Sequence, residues 1–185
     1  MTINIRRVTV EEFENFANLP ENEDRLFEFI GGEIIEVPSN PYTSEISILI
    51  AGALLTFVRK HKLGHVTGEA GGYQVQGERY APDVAFISNV KQPKLARQGY
   101  NPNPPDLAVE VVSPSDRKQK LTIKISNYLA AGTVVWVVYP DTKEIQIHAP
   151  RQAVQVLTTD DMLNGGRVLP DFTLAVADIF PDEEE

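Results

Sequence analysis

The sequence predicts an α/β (α+β) fold in which helices flank a mixed β-sheet. The main reason is the segment 106–139, where the apolar run "DLAVEVV", a helical stretch ending at Gly132 and the apolar run "TVVWVVYP" follow one another. Such a strand–helix–strand unit forms a parallel crossover. The remaining β-type runs are short and separated by turn residues, which favours antiparallel pairing. A sheet that contains both kinds of pairing buries its apolar faces against helices.

The first elements of the chain have clear local signals. Thr9 and Glu12 form a capping box that opens a short helix, "VEEFENFAN", with Phe13 and Phe16 directed inward. Two short β-type runs in "RLFEFIGGEIIEVPS" meet at a Gly-Gly pair, which predicts a hairpin. Pro41 then opens a long and mostly buried helix, "PYTSEISILIAGALLTFVRKHKLG".

The later elements are mostly strands. We expect "HVTGE", "GYQVQG" and "DVAFIS" to form strands, and the proline-rich segment 91–105 to form a surface loop. Pro114 breaks the chain, and Ser115 or Asp116 caps the next helix. The runs "KEIQIHAP" and "QAVQVLT" alternate with a period of two, as sheet-edge strands do, and "LAVADIF" is expected to form a short helix.

Composition and length predict one soluble domain. The chain has 185 residues, of which 42% are hydrophobic and 23% charged, and we expect residues 1–185 to form one domain with a disordered acidic tail at 181–185. The longest apolar run, 46–58, is interrupted by polar residues and is short for a membrane span. The first ten residues lack the apolar core of a signal peptide. These features predict a cytoplasmic protein without a membrane partner.

The absence of cysteine and the acidic charge limit the possible chemistry. Without cysteine the chain has no disulfide, no thiolate zinc site and no cysteine nucleophile, so a metal would be held by oxygen or imidazole. Oxygen ligands favour Mg²⁺ or Mn²⁺. The net charge of −9 argues against a protein that coats nucleic acid through a basic surface. It leaves a nuclease possible, because acids gathered around a metal add negative charge.

Two acids lie in apolar, β-rich sequence. Asp83 follows Pro82 at the start of "DVAFI", and Glu110 lies within "LAVEVV". Burying a polar group without a partner costs about 2–7 kcal/mol, and two adjacent carboxylates repel unless a cation lies between them. A divalent metal held by both acids would remove this conflict. The alternatives are that Glu110 faces solvent on an edge strand and that Asp83 is a turn residue.

The predicted helix after Glu110 offers a basic group. Lys120 and Lys124 are four residues apart and share a helix face with Tyr128. A lysine on this face could reach the strand end where Glu110 lies, and its ammonium could orient a water or neutralise charge on a phosphate. The alternative is that both lysines belong to a solvated helix face.

Five stretches in order resemble one known family: "FEFIGGEIIEVPS", "APDVAFIS", "PPDLAVEVVSPSDR", "KISNYLAAGTVVWVVYP" and "FTLAVADIF". They resemble the Uma2-type family of restriction-endonuclease-like proteins, in the PD-(D/E)xK nuclease superfamily. The resemblance extends from about Val8 to Phe180 and implies a restriction-endonuclease-like mixed sheet flanked by helices. It also implies that Asp83 and Glu110 bind a metal together with the backbone carbonyl of Val111.

The same resemblance assigns the remaining site residues. The lysine that usually lies two residues after the second acid is replaced here by Val112. The position that matches the lysine is Lys124 on the following helix, with Lys120 as the fallback. Glu28 matches a recurrent acid of the family and would complete the site or bind a second cation.

The implied function is that of a Mg²⁺- or Mn²⁺-dependent endonuclease that hydrolyses phosphodiester bonds of nucleic acid, most readily DNA. We expect a homodimer, because nuclease domains of this size pair to reach both strands. The DNA-contacting surface would combine five basic residues: Arg97, Arg117, Lys118, Lys120 and Lys124. The net charge and Val112 keep two alternatives open, which are a non-catalytic interaction module on a nuclease-like scaffold and a metal-dependent hydrolase of a small phosphorylated substrate.

Overall fold

A computed structural model describes residues 7–22, 25–36, 40–113 and 118–181. Its helices are α1 (Val10–Ala17), α2 (Pro41–His61) and α3 (Lys118–Ala130). Its strands, in chain order, are β1 (Phe27–Ile30), β2 (Glu33–Glu36), β3 (Gly64–Gly68), β4 (Tyr73–Val75), β5 (Glu78–Tyr80), β6 (Val84–Ser88), β7 (Leu107–Val111), β8 (Val134–Tyr139), β9 (Glu144–His148), β10 (Gln155–Leu157), β11 (Met162–Asn164) and β12 (Thr173–Ala175).

The main sheet has six strands in the order β10-β9-β8-β7-β6-β3. Strands β7 and β8 are parallel and joined through α3, and every other neighbouring pair in this sheet is antiparallel. The predicted mixed sheet flanked by helices is therefore confirmed. The placement of "KEIQIHAP" at an edge was wrong, because β9 lies between β8 and β10 and the edge strands of this sheet are β10 and β3.

A smaller sheet has the order β2-β1-β5-β4 and packs beside α3. The predicted hairpin is present: Gly31 and Gly32 turn the chain between β1 and β2 with φ of +59° and +80°. Glycine suits this turn because both angles lie in the left-handed region. Strand β5 was not predicted, since a run of three residues is too short to show a period. Strands β11 and β12 form a separate two-stranded ribbon.

Helix α2 covers one face of the main sheet. Its inward residues pack on side chains from β6, β7 and β8 in one apolar cluster, which includes Ile46, Ile50, Leu54, Val58, Val84, Phe86, Leu107, Val109 and Trp136. The bounds predicted for this helix are close to those observed. The expectation that it is mostly buried was wrong, because Ile48 is 67% exposed and Leu49 and Leu55 are each at least 40% exposed. A helix lying on one side of a sheet touches it with only one stripe of side chains.

The chain ends differ in how well they were predicted. The Thr9–Glu12 capping box is formed and Phe13 is buried. The stretch "LAVADIF" is only partly helical, since strand β12 is followed by a single 3-10 turn at Val176–Ile179. Ser115 and Asp116, the expected caps of α3, and residues 182–185 of the acidic tail lie outside the described residues.

Candidate active site

The register of β6 and β7 brings the two predicted metal-binding acids together. These strands are antiparallel, with Val84 opposite Val109. Extending that register by one residue places Asp83 opposite Glu110, and side chains directly opposite each other in a sheet point to the same face. The backbone N–H of Val111 donates a hydrogen bond to Oδ2 of Asp83 at 2.6 Å. Asp83 is therefore fixed at the end of β7, beside Glu110.

Glu110 points to the face of the sheet that α3 covers. Lys124, from the middle of α3, donates to Glu110 Oε2 at 2.5 Å. One turn later, the hydroxyl of Tyr128 donates to Glu110 Oε1 at 3.1 Å. Both carboxylate oxygens of a buried acid are therefore bound by one helix, because residues four apart share a helix face. Glu110 does not face solvent on an edge strand, which was the alternative left open.

Glu28 joins the same cluster from the smaller sheet. Its Oε1 accepts a hydrogen bond from Lys124 Nζ at 2.8 Å and another from the backbone N–H of Ala81 at 2.8 Å. Ala81 lies two residues before Asp83, so Glu28 links strand β1 to the segment that positions Asp83. Glu28, Glu110 and Lys124 are all nearly inaccessible to solvent.

The electrostatics of this cluster are those of one lysine shared by several acids. Burial raises the pKa of Glu110 to about 8, the attraction of Lys124 opposes this rise, and the negative charges of Glu28 and Asp83 add to it. Burial alone would lower the pKa of Lys124, but the charges of Glu110 and Glu28 outweigh it and hold that pKa above its ordinary value. The raised pKa keeps Lys124 protonated, and a further cation beside Glu110 would favour the ionised form of that carboxyl.

The two candidate lysines occupy different surroundings. Lys120 forms an ion pair with Glu33 Oε1 at 2.8 Å and donates to the backbone carbonyl of Ile30 at 3.2 Å. It therefore supports the hairpin of the smaller sheet, while Lys124 lies among the acids. A solvated helix face does not describe Lys124, which is 6% exposed. The assignment of Lys124 as a catalytic residue stays a prediction.

Sequence reasoning missed some of the groups that hold this cluster. It placed Tyr128 on the lysine face of α3 but did not foresee its hydrogen bond to Glu110. The ring of Tyr80 lies 5.7 Å from Lys124 Nζ, at cation–π distance, and its hydroxyl accepts from Asn127 at 2.6 Å. The sequence signalled only the α3 side of these contacts, through the spacing of Lys124, Asn127 and Tyr128. It gave no signal for Tyr80, because Tyr80 lies in β5, a strand that was not predicted.

The donors available for a metal are all oxygens. The N–H and C=O of a strand residue point to the same side, so the carbonyl of Val111 faces the side where its N–H meets Asp83. With the carboxylates of Asp83 and Glu110 this gives three oxygen ligands, a set that suits Mg²⁺ or Mn²⁺ with water completing the shell. Among the described residues no group of three or more His, Cys, Asp or Glu could hold a metal ion by itself. A cation at this position would be held by two carboxylates and one carbonyl and would keep part of its hydration.

The predicted DNA-contacting surface is only partly exposed. Arg97 and Lys118 are exposed. Lys124 is buried, so including it in an exposed contact surface was wrong. A charged side chain that is enclosed by acids cannot also coat the outside of the protein. Lys120 is half-buried and paired with Glu33, and its part in a DNA contact stays a prediction. Arg117 lies outside the described residues.

Comparison with known proteins gives a family. The family model described as "Uma2: Putative restriction endonuclease" matches residues 10–177. The chain belongs to the Uma2 family. This confirms the resemblance and assigns the chain to a nuclease-type family. No curated protein matches the chain.

A solved structure has the same fold. It is that of a "putative nuclease belonging to DUF820" from Anabaena variabilis, which is 23% identical to this Uma2 chain with a TM-score of 0.81. The match covers 94% of this chain and 97% of the other. At this identity the likeness shows the fold, which agrees with the predicted nuclease-like architecture.

Proposed function

We propose that this Uma2 protein is a metal-dependent endonuclease that hydrolyses phosphodiester bonds of DNA, with Mg²⁺ or Mn²⁺ as its cofactor. The observation that carries the proposal is the buried Lys124, held between Glu28 and Glu110 beside Asp83. Burying charges in this way is costly, and replacing them with apolar residues often stabilises a protein. A cluster of this kind is therefore better explained by chemistry than by stability.

Each residue has a defined part in this proposal. Asp83, Glu110 and the carbonyl of Val111 would hold the cation, which when bound supplies a water of lowered pKa and charge stabilisation on the phosphate. Lys124 keeps its proton and presents an ammonium that orients the attacking water or stabilises the negative charge that develops on the phosphate oxygens. Glu28 fixes that ammonium, and Tyr128 fixes the carboxylate of Glu110.

The proposal extends to assembly and location. We place the protein in the cytoplasm, and we propose that it acts as a homodimer. The net charge of −9 makes its affinity for DNA depend on local basic residues such as Arg97 and Lys118. An enzyme that contacts DNA phosphates loses affinity steeply as salt rises, whereas a hydrolase of a small phosphorylated substrate responds far less.

The decisive experiment combines metal binding with cleavage. Binding of Mg²⁺ and Mn²⁺ is measured by calorimetry, and nicking of a supercoiled plasmid is followed in parallel. We expect Asp83→Ala and Glu110→Ala to lose both, and the control Glu144→Ala, which removes an acid from strand β9 outside the cluster, to keep both. Metal binding without nicking in the wild type would favour a small substrate. Absence of specific metal binding would overturn the proposal and leave a non-catalytic module.

A further inference from the structure

The outward face of α2 is unusually apolar for a surface. Ile48 is 67% exposed, and Leu49 and Leu55 are 40% and 42% exposed. They lie within two turns on the side of the helix opposite the residues that pack on the sheet. Single exposed apolar residues are ordinary, but a contiguous patch marks a contact surface.

This face is symmetric in sequence about Gly52. Leu49 lies three residues before Gly52 and Leu55 three residues after it. Ile48 and Thr56 lie four residues to either side, and Glu45 and Arg59 lie seven residues to either side. Residues at these spacings share one face of a helix. A second copy of α2, antiparallel and crossing at Gly52, would place each Leu49 against Leu55, each Ile48 against the methyl-bearing Thr56, and each Glu45 against Arg59. The face is therefore complementary to itself, as a two-fold interface must be.

In the described part of the chain, no contact requires glycine at position 52 or pairs the flanking charges. No atom other than those of the adjoining helix backbone lies within 4 Å of the position where a Cβ on Gly52 would stand, so packing among the described residues does not require glycine there. Glycine inside a helix is less favourable than alanine, and its usual benefit is close backbone approach. Glu45 and Arg59 are exposed, and neither forms an ion pair with another residue in the described part of the chain.

We propose that two copies of this protein dimerise through the α2 face formed by Glu45, Ile48, Leu49, Gly52, Leu55, Thr56 and Arg59. Glu110 points to the opposite face of the sheet, toward α3. The two candidate active sites of such a dimer lie on its outer sides and face away from each other. This consequence rests on the proposed nuclease function: such a dimer differs from one that cuts both strands at one position, and each copy would nick independently.

Charge reversal tests the pairing directly. Analytical ultracentrifugation over a range of concentrations measures the dimer dissociation constant of the wild type, Glu45→Arg, Arg59→Glu and the double variant. Each single reversal creates two like-charge contacts, so we expect the dimer dissociation constant to rise about tenfold or more. The double variant restores both opposite-charge contacts and should recover most of the wild-type affinity. Arg151→Glu, an exposed reversal in a distant turn, is the control. A wild-type dimer that is indifferent to both single reversals would overturn the proposal.

Gly52 provides a second, independent test. Gly52→Ala should raise the thermal midpoint of the dilute monomer, since alanine favours the helix, while weakening the dimer, and Gly52→Leu should weaken it further. A merely structural glycine would not separate these two effects.

Helix α2 is also long and apolar enough to cross a membrane, as the core helices of soluble proteins often are. A wild type that stays monomeric at high concentration, or that instead co-sediments with phospholipid vesicles, would overturn the proposal.

Discussion

The two faces of the main sheet have opposite characters. The α2 face is lined by large apolar side chains such as Phe86, Val109 and Trp136. The α3 face also has apolar residues, among them Ala85, Ala108 and Val137, but it contains in addition the buried charges around Glu110. Strand β7 contributes to both, because successive residues point to opposite faces. A sheet needs only apolar contacts to be stable, so the charged face is where a role other than stability is to be expected.

The comparison also separates two kinds of surface helix. The buried residues of helix α2 are aliphatic except for Ser47, whose hydroxyl donates to the carbonyl of Thr43 within the helix. The apolar outer face of α2 is exposed in the described part of the chain. Helix α3 buries a lysine and a tyrosine that both bind one carboxylate. Changes on the α2 side should therefore alter stability or assembly, while changes on the α3 side should alter activity.

The largest effect is expected from Lys124→Met. Removing the ammonium should lower the plasmid nicking rate by about 10²–10⁴-fold, the range for loss of a positioned catalytic group. It should also lower the free energy of unfolding by about 3–5 kcal/mol, since Glu28 and Glu110 lose their buried partner. Nicking per folded molecule and chemical denaturation measure the two effects.

Lys120→Met is the matched control for that variant. It removes the same group four residues earlier on α3 but disrupts only the contacts with Glu33 and Ile30. We expect nicking to remain within a few-fold of the wild type. If Lys124→Met folded and nicked normally, or if Lys120→Met were the inactive variant, the assignment of the lysine would be wrong.

A change on the α2 face of the main sheet should lower stability without changing the nicking rate per folded molecule. Leu54 is completely buried in the apolar cluster, so Leu54→Ala should lower the free energy of unfolding by about 2–5 kcal/mol. Nicking per folded molecule should not change, since Leu54 is on the side away from Glu110. Val90, which is 97% exposed, gives the control Val90→Ala with a change within about 0.5 kcal/mol. A loss of nicking at full folding would show that the two faces are coupled.

The sequence predicted the parts of this fold that depend on local patterns. The Gly31-Gly32 hairpin and the β7–α3–β8 unit follow from turn residues and from the period of apolar residues. The side of α2 that the sheet covers does not follow from local patterns, because Ile48 and Ile50 are chemically alike and only the position of the sheet distinguishes them. Local patterns also place Glu110 inside a strand and Asp83 at the start of one. In the structure Asp83 lies in a bend directly before β6, and its position beside Glu110 requires the register of β6 and β7.

The candidate site was predicted mainly from family resemblance. The structure brings Glu28, Asp83, Glu110 and Lys124 together in one cluster, and their catalytic roles stay predictions. The bond from Tyr128 to Glu110 could not be predicted, since it depends on how α3 lies across β7. Long-range contacts of this kind have no signature in a single sequence.

The smallest expected effect comes from that unpredicted contact. Tyr128→Phe removes only the hydroxyl that donates to Glu110, so the free energy of unfolding should fall by about 1 kcal/mol. Nicking should fall several-fold and require more Mg²⁺ for half-maximal rate, because the Glu110 carboxylate is held less firmly. Tyr80→Phe is the control, since it breaks the hydrogen bond from Asn127 while leaving that carboxylate bound. If both variants needed the same Mg²⁺ concentration as the wild type, the Tyr128 hydroxyl would contribute to packing alone, and Lys124 would be sufficient to position Glu110.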